Sequence, residues 1–397
     1  MGRSTGRTAA LIIACALIVA CSDSSALERR TSPTPGASAL APRSPRTVAS
    51  LDPLADLAHG PFPTGCVDQR YTTPLLDAKT DGRRLIWSSG AHEAAPDTAP
   101  DLVVWEPGSA AAPQVVFSNP NRDSNVFNFV GNGGSIAFVE QNPRRYGEAG
   151  WRLWLLRAEH PTPLAIDASE EVVGTPPPPL PFPTLNGSDL VWSTVHRVAG
   201  RLRYELLDYS IVTGRRRVLA SASVTATEYW FPSLAADGAL VYGTVEHHAA
   251  RLAFHVYLTN LAGARPTRLD PSGEVAAPAF NGSVVLWKRI AQNVFEPGNL
   301  ERYDLATRSV TPIWFGRQLG VNYPSVGDRY GAVWGNDATD FEIVDLARAQ
   351  PVLVQRWSET YPYGVVRPQI AGDLMAYLVG PDDPRGHLWL CWARLPG

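Results

Sequence analysis

Phe182-Pro183-Thr184-Leu185-Asn186-Gly187, followed by Leu190-Val191-Trp192, is the stretch whose reading decides the fold. Pro at the front suits the start of a strand, where its missing N–H does least harm. Asn-Gly supplies the positive φ angles of a tight hairpin. The following aliphatic-aliphatic-aromatic run reads as a buried second strand. The stretch recurs as Phe231-Pro232 through Asp237-Gly238 to Leu240-Val241-Tyr242, and as Ala277-Pro278 through Asn281-Gly282 to Val285-Leu286-Trp287. It returns as Tyr323-Pro324 through Gly327 to Ala332-Val333-Trp334, and as Arg367-Pro368 through Gly372 to Met375-Ala376-Tyr377. Two looser copies precede these. Thr73-Pro74 leads through Asp81-Gly82 to Leu85-Ile86-Trp87, and Phe127-Asn128 leads through Gly133-Gly134 to Ile136-Ala137-Phe138.

Each copy has a second half. Strand-like runs such as Tyr204–Tyr209, Phe254–Leu261 and Phe341–Leu346 are followed by a turn and a short closing β run such as Arg217-Val218-Leu219. The turn glycines recur at intervals of about 44 to 53 residues, the period of a propeller blade. Four strands per period predict an all-β propeller of seven blades over residues 65–397. Fusion of the two loose copies would leave six. The pattern resembles the TolB-type, WD40-like β-propeller repeat, although only Asp81-Gly82 and Asp237-Gly238 keep that repeat's Asp. The resemblance implies a propeller that serves as a binding scaffold, a lyase or a hydrolase partner. It does not extend to TolB itself, because no α/β domain is visible before residue 66.

The first 20 residues read as a signal peptide. Arg3 and Arg7 precede an apolar run from Ala9 to Ala20 that is too short to span a bilayer. Ile18-Val19-Ala20-Cys21 resembles a bacterial lipobox, which implies cleavage before Cys21 and its acylation. The competing reading is a plain secretory peptide with a chance cysteine. Residues 21–64, rich in Ser, Pro and Ala, read as a disordered tether. The address is then the cell envelope, facing the periplasm or the exterior, with Ser22 after the cysteine favouring an outer membrane. The expected partners are the lipid bilayer, through acylated Cys21, and a protein segment or glycan.

Cys15 falls in the cleaved segment, which leaves Cys66 and Cys391 in an oxidising compartment. The chain ends one strand short of a complete last blade. A segment near Cys66 is expected to adjoin or supply that strand, with a Cys66–Cys391 disulfide closing the ring. The alternative is two unrelated buried thiols.

With 35 basic and 38 acidic residues and scattered arginines, nothing suggests nucleic-acid binding. Hydrolase elbows, zincin motifs, P-loops and paired cysteines are missing, so no catalytic residue, metal or cofactor is assigned. His247-His248 is the one His pair, and strand alternation points its members apart. Asn186-Gly187-Ser188 and Asn281-Gly282-Ser283 match glycosylation sequons but occupy one hairpin of the repeat, which favours turn chemistry. The same argument gives Asp208, Asp304 and Asp345 a turn-capping role.

A candidate binding face gathers the loops between second and third strands with the starts of the inner strands. It comprises Arg144, Arg145, Tyr146, His196, Arg197, Trp230, His247, Lys288, Arg289, Tyr323, Asn336 and Arg367. Aromatics with arginine make hot spots for proteins or glycans. A mouth lined by Trp230, Tyr323 and apolar groups would favour a non-enzymatic scaffold. Convergence of Glu140, Arg144, His196 and Glu246 would favour a polysaccharide lyase or glycoside hydrolase, and a mouth filled by its own loops a structural protein. Peptide mass spectrometry of the mature chain is expected to show an N-terminus at acylated Cys21. An unmodified Cys21 would mean simple secretion.

Overall fold

The computed structural model describes residues 64–68, 75–89, 101–120, 124–141, 150–169, 181–249, 251–290, 299–313, 322–334, 340–356, 363–381 and 389–396. They form seven four-stranded antiparallel sheets, so the propeller has seven blades rather than six. Blade 1 comprises β2 (Leu75–Thr80), β3 (Leu85–Ser89), β4 (Asp101–Trp105) and β5 (Gln114–Ser118). Blade 2 comprises β6 (Asn125–Asn132), β7 (Ser135–Gln141), β8 (Trp151–Arg157) and β9 (His160–Ala168). Blade 3 runs through β10 (Thr184–Leu185), β11 (Asp189–Val198), β12 (Arg201–Ser210) and β13 (Arg216–Ser223). Blade 4 holds β14 (Thr227–Leu234), β15 (Ala239–His247), β16 (Leu252–Asn260) and β17 (Thr267–Arg268). Blade 5 holds β18 (Val275–Phe280), β19 (Val284–Arg289), β20 (Asn299–Asp304) and β21 (Ser309–Ile313). Blade 6 holds β22 (Asn322–Val326), β23 (Tyr330–Trp334), β24 (Asp340–Asp345) and β25 (Gln350–Arg356). Blade 7 has three strands from the chain's end, β26 (Tyr363–Ala371), β27 (Leu374–Pro381) and β28 (Trp389–Arg394). Its outer strand is β1 (Thr64–Cys66), from the other end of the chain.

The hydrophobic core is divided among the seams. Seven buried clusters each join residues of two adjacent blades. The second-strand aromatics Trp87, Phe138, Trp192, Tyr242, Trp287 and Tyr377 are at most 3% exposed. Each wedges against the preceding blade. A chain of this length thereby avoids the need for one large core.

Side-chain hydrogen bonds tie the inner strands together. Thr184 Oγ1 accepts from the Leu234 amide, and Ser233 Oγ bonds both the amide and the carbonyl of Phe280. Ser325 Oγ accepts from the Ile370 amide and donates to the Pro368 carbonyl. Each of these hydroxyl residues directly follows the repeat's Pro. Asn186 and Asn281 close their turns by accepting amide hydrogens at residues 188–189 and 283–284. Their side-chain amides donate to Ala235 and Gly327 of the next blade. Asp304 and Asp345 cap turns by accepting backbone amides. Asp208 differs, because its carboxylate is bonded by Arg217 of the adjoining strand.

Ring closure follows the expected route. In the β1–β28 register Cys66 stands opposite Cys391, with Cα atoms 4.0 Å apart and a disulfide between them. The Val67 amide adds a 2.8 Å bond to the Leu390 carbonyl. The bridge spans 325 residues, which in the chain-entropy model contributes on the order of 5 kcal/mol. Cys66→Ser is therefore expected to lower stability by an amount of that order and to speed hydrogen exchange at Val67. Unchanged unfolding would mean that seam packing alone holds the ring.

Candidate functional site: the aromatic mouth of the channel

Most inner strands carry a β-bulge. Register shifts fall at Phe127/Val130, Trp230/Ser233, Ala276/Ala279, Asn322/Ser325 and Val366/Gln369. Asn128, Phe231 and Ala277 occupy this position with φ of 43°, 46° and 51°. Residues with a Cβ seldom adopt such angles, and each costs about 1–3 kcal/mol. A bulge re-aims its side chain, and here the result is visible in ring contacts. Phe231 lies 4.8 Å from Phe182 and 5.1 Å from Tyr323, centroid to centroid. Blades 4 and 6 are not neighbours, so Phe231 and Tyr323 meet inside the central channel. Between them blade 5 offers only Ala277, which leaves room for the contact. The three rings are half-buried.

Beside this cluster lies the buried carboxylate of Glu228, 5% exposed. It accepts from Trp230 Nε1 at 2.8 Å and Tyr204 Oη at 3.4 Å, and shares a 2.8 Å hydrogen bond with His247 Nε2. The Trp230 ring packs 5.5 Å from Phe231. Trp230, His247 and Tyr323 are thus brought together through Glu228 and Phe231. Those two were not among the candidates. Phe231 was legible as the residue before Pro, in register with Phe182 and Tyr323; nothing in the repeat marks Glu228.

The other candidates lie apart. His196 is buried in the seam of blades 2 and 3, between Asp167 Oδ1 at 3.1 Å and Glu205 Oε2 at 3.0 Å. Arg216 reaches the same group, with its guanidinium 5.5 Å over Trp192. Burial opposes the charged imidazole, but the Asp167 carboxylate outweighs it and holds His196 above its ordinary pKa. For Asp167, burial is the largest single influence, but His196, Arg216 and Trp192 together outweigh it, so its pKa lies below the usual value. Arg197 is exposed and donates to the Gly200 carbonyl of its own hairpin. Arg289 binds Glu301 and Asp270 at the seam of blades 4 and 5. Lys288 is buried, and desolvation lowers its pKa to about 8. Arg144, Arg145, Tyr146 and Asn336 lie outside the described residues, as does the side chain of Arg367.

The carboxylates named as marks of an enzyme do not converge with His196. Glu140 is bonded by Ser124 and Trp154, and Glu246 by Tyr257. His247 and His248 diverge, the first to Glu228 and the second 3.8 Å from Glu246. Among the described residues no group of three His, Cys, Asp or Glu side chains is arranged to hold a metal ion. On the opposite face a cavity of about 600 Å³ opens between the hairpins of blades 5 and 6, lined by Asn281, Arg302, Asp304, Asp328 and Arg329.

No protein-family model matches the chain, and no curated protein matches it. Solved structures do. An oligogalacturonate lyase in complex with manganese superposes with a TM-score of 0.53 at 13% identity, over 80% of this chain and 87% of that one. The β-propeller domain of the Trilobed protease from Pyrococcus furiosus, which has an open velcro topology, gives 0.54 at 12% identity, over 80% and 94%. Puromycin hydrolase gives 0.55 at 14% identity over 79% of this chain, which spans 51% of that enzyme. At these identities the likeness is one of fold: a β-propeller, here with seven blades and a closing strand.

The seam triad sets a pH dependence. Because the His196 pKa is raised, its contribution is complete below about pH 6.5 and is lost as pH rises through the raised value. Because the Asp167 pKa is depressed, its contribution is present above the ordinary carboxylate value and is lost as pH falls through the depressed one. The melting-temperature gap between wild type and His196→Gln is expected to be widest between these limits. A gap independent of pH would sink this account.

Proposed function

We propose that the chain is a lipid-anchored, extracytoplasmic propeller of TolB-like repeat type that binds a protein segment or glycan at the aromatic mouth of its channel without transforming it. One observation carries this reading: Phe182, Phe231 and Tyr323, from three blades, meet in the channel, with Phe231 on a strained backbone. Half-buried rings in contact offer apolar area that is already ordered, so little entropy is lost when a ligand covers them. The acylated Cys21 and the tether of residues 21–64 would hold this mouth within reach of envelope material. The bilayer is then the second partner, and the envelope the location.

Catalysis at the same mouth is the second reading. It rests on His247, which is oriented by the buried Glu228, and whose Nδ1 has no partner among the described residues. A lyase and peptidases among the solved structures that share the fold are compatible with it.

Phe231→Ala is the discriminating variant. Ala277 holds the same backbone conformation in blade 5, so the fold is expected to survive. Capture of envelope glycans or peptides should weaken by about tenfold or more, as for a central aromatic anchor. Unchanged capture would reject the mouth as the site. Turnover of a captured ligand, lost in His247→Gln while binding persists, would make the protein an enzyme.

A further inference from the structure

We infer that the ligand of this mouth is an acidic glycan, laid from the aromatic cluster outward over the seam of blades 3 and 4; the inference rests on the binding reading above. The second and third strands of these two blades are long, ten residues each in β11 and β12 and nine each in β15 and β16. In blade 3 the hairpin turns through Ala199 and Gly200, both with positive φ, a tight and rigid connection. Arg197 and Arg201 flank that tip, and His248 and Arg251 stand at the tip of blade 4, all exposed. Neither Arg201 nor Arg251 has a carboxylate partner among the described residues.

Most acids beneath the tips are committed elsewhere, although His248 has one nearby, Glu246 at 3.8 Å. Asp167 and Glu205 hold His196, Glu228 holds His247 and Trp230, and Glu246 accepts from Tyr257. This corner therefore displays positive charge, although the chain as a whole carries −3. Beneath the surface the ligand would cover, a chain of buried contacts links the two blades to the channel. Tyr204 of blade 3 bonds Glu228 of blade 4, Glu228 bonds Trp230, and the Trp230 ring packs against Phe231. A polymer of saturated rings bearing carboxylates matches both ends of this route. Its apolar ring faces suit Phe231 and Tyr323, and its carboxylates suit the planar forks of Arg201 and Arg251.

The test is calorimetric titration of the mature chain, in detergent, with a uronate oligosaccharide and with its carboxyl-reduced neutral counterpart. The uronate form is expected to bind about tenfold tighter or better, the worth of a charge-assisted hydrogen bond. In Arg201→Gln/Arg251→Gln, and at high salt, that advantage should vanish while the neutral form is unaffected. Phe231→Ala should lose both forms. Equal binding of the two forms, with the arginine variant silent, overturns the acidic-glycan inference and leaves the binding reading standing. So does tighter binding of an acidic peptide or a single-stranded oligonucleotide than of the uronate. If wild type binds no probe of any class, both fall.

Discussion

A four-stranded sheet that satisfies its own backbone has little but side chains with which to hold the next sheet. That constraint governs this molecule. The seams carry the apolar burial, and the second-strand aromatics are the wedges that fill them. Where inner strands run past one another without forming a ladder, hydroxyl and amide side chains supply the missing hydrogen bonds. Blade 7 is completed by pairing β1 with β28, and there the covalent Cys66–Cys391 link is added.

The same constraint builds the channel. Pro within an inner strand cannot donate to a ladder, and in blade 4 the bulge beside Pro232 turns Phe231 into the channel. Among the described residues Phe182, Phe231 and Tyr323 reach that space, and their size decides what it becomes. A large aromatic in three blades and Ala277 in a fourth produce a cluster of rings in contact across the channel. The strain at Phe231 persists because strand pairing and seam packing on both sides fix the backbone around it.

Charge is handled separately. The carboxylates near the mouth face are buried against indole, phenol or imidazole partners, as with Glu228, Glu140 and Asp167. Burying an acid requires such donors. One result is that basic groups are left on display at the hairpin tips of blades 3 and 4, in a chain that is acidic overall.

The amino-acid sequence by itself determined the blade. Pro, the Gly turn and the aromatic on the second strand are local signals, and their repetition counted seven sheets. Counting strands also located the missing one near Cys66, because a ring must close. Turn chemistry at Asn186 and Asn281 was legible for the same local reason, and Asp208 shows where it failed, since a neighbouring strand's Arg217 competes for that carboxylate. What only the tertiary structure decided was which side chains meet. Phe231 and Tyr323 are separated by 92 positions and one blade, so their contact depends on channel radius and on the small size of Ala277. Glu228 became the hub of the mouth through bonds from two blades, and His196 was drawn into a seam by Asp167 of the preceding blade. Local propensity follows from neighbours in sequence; a site assembled across blades follows from the geometry of the closed ring.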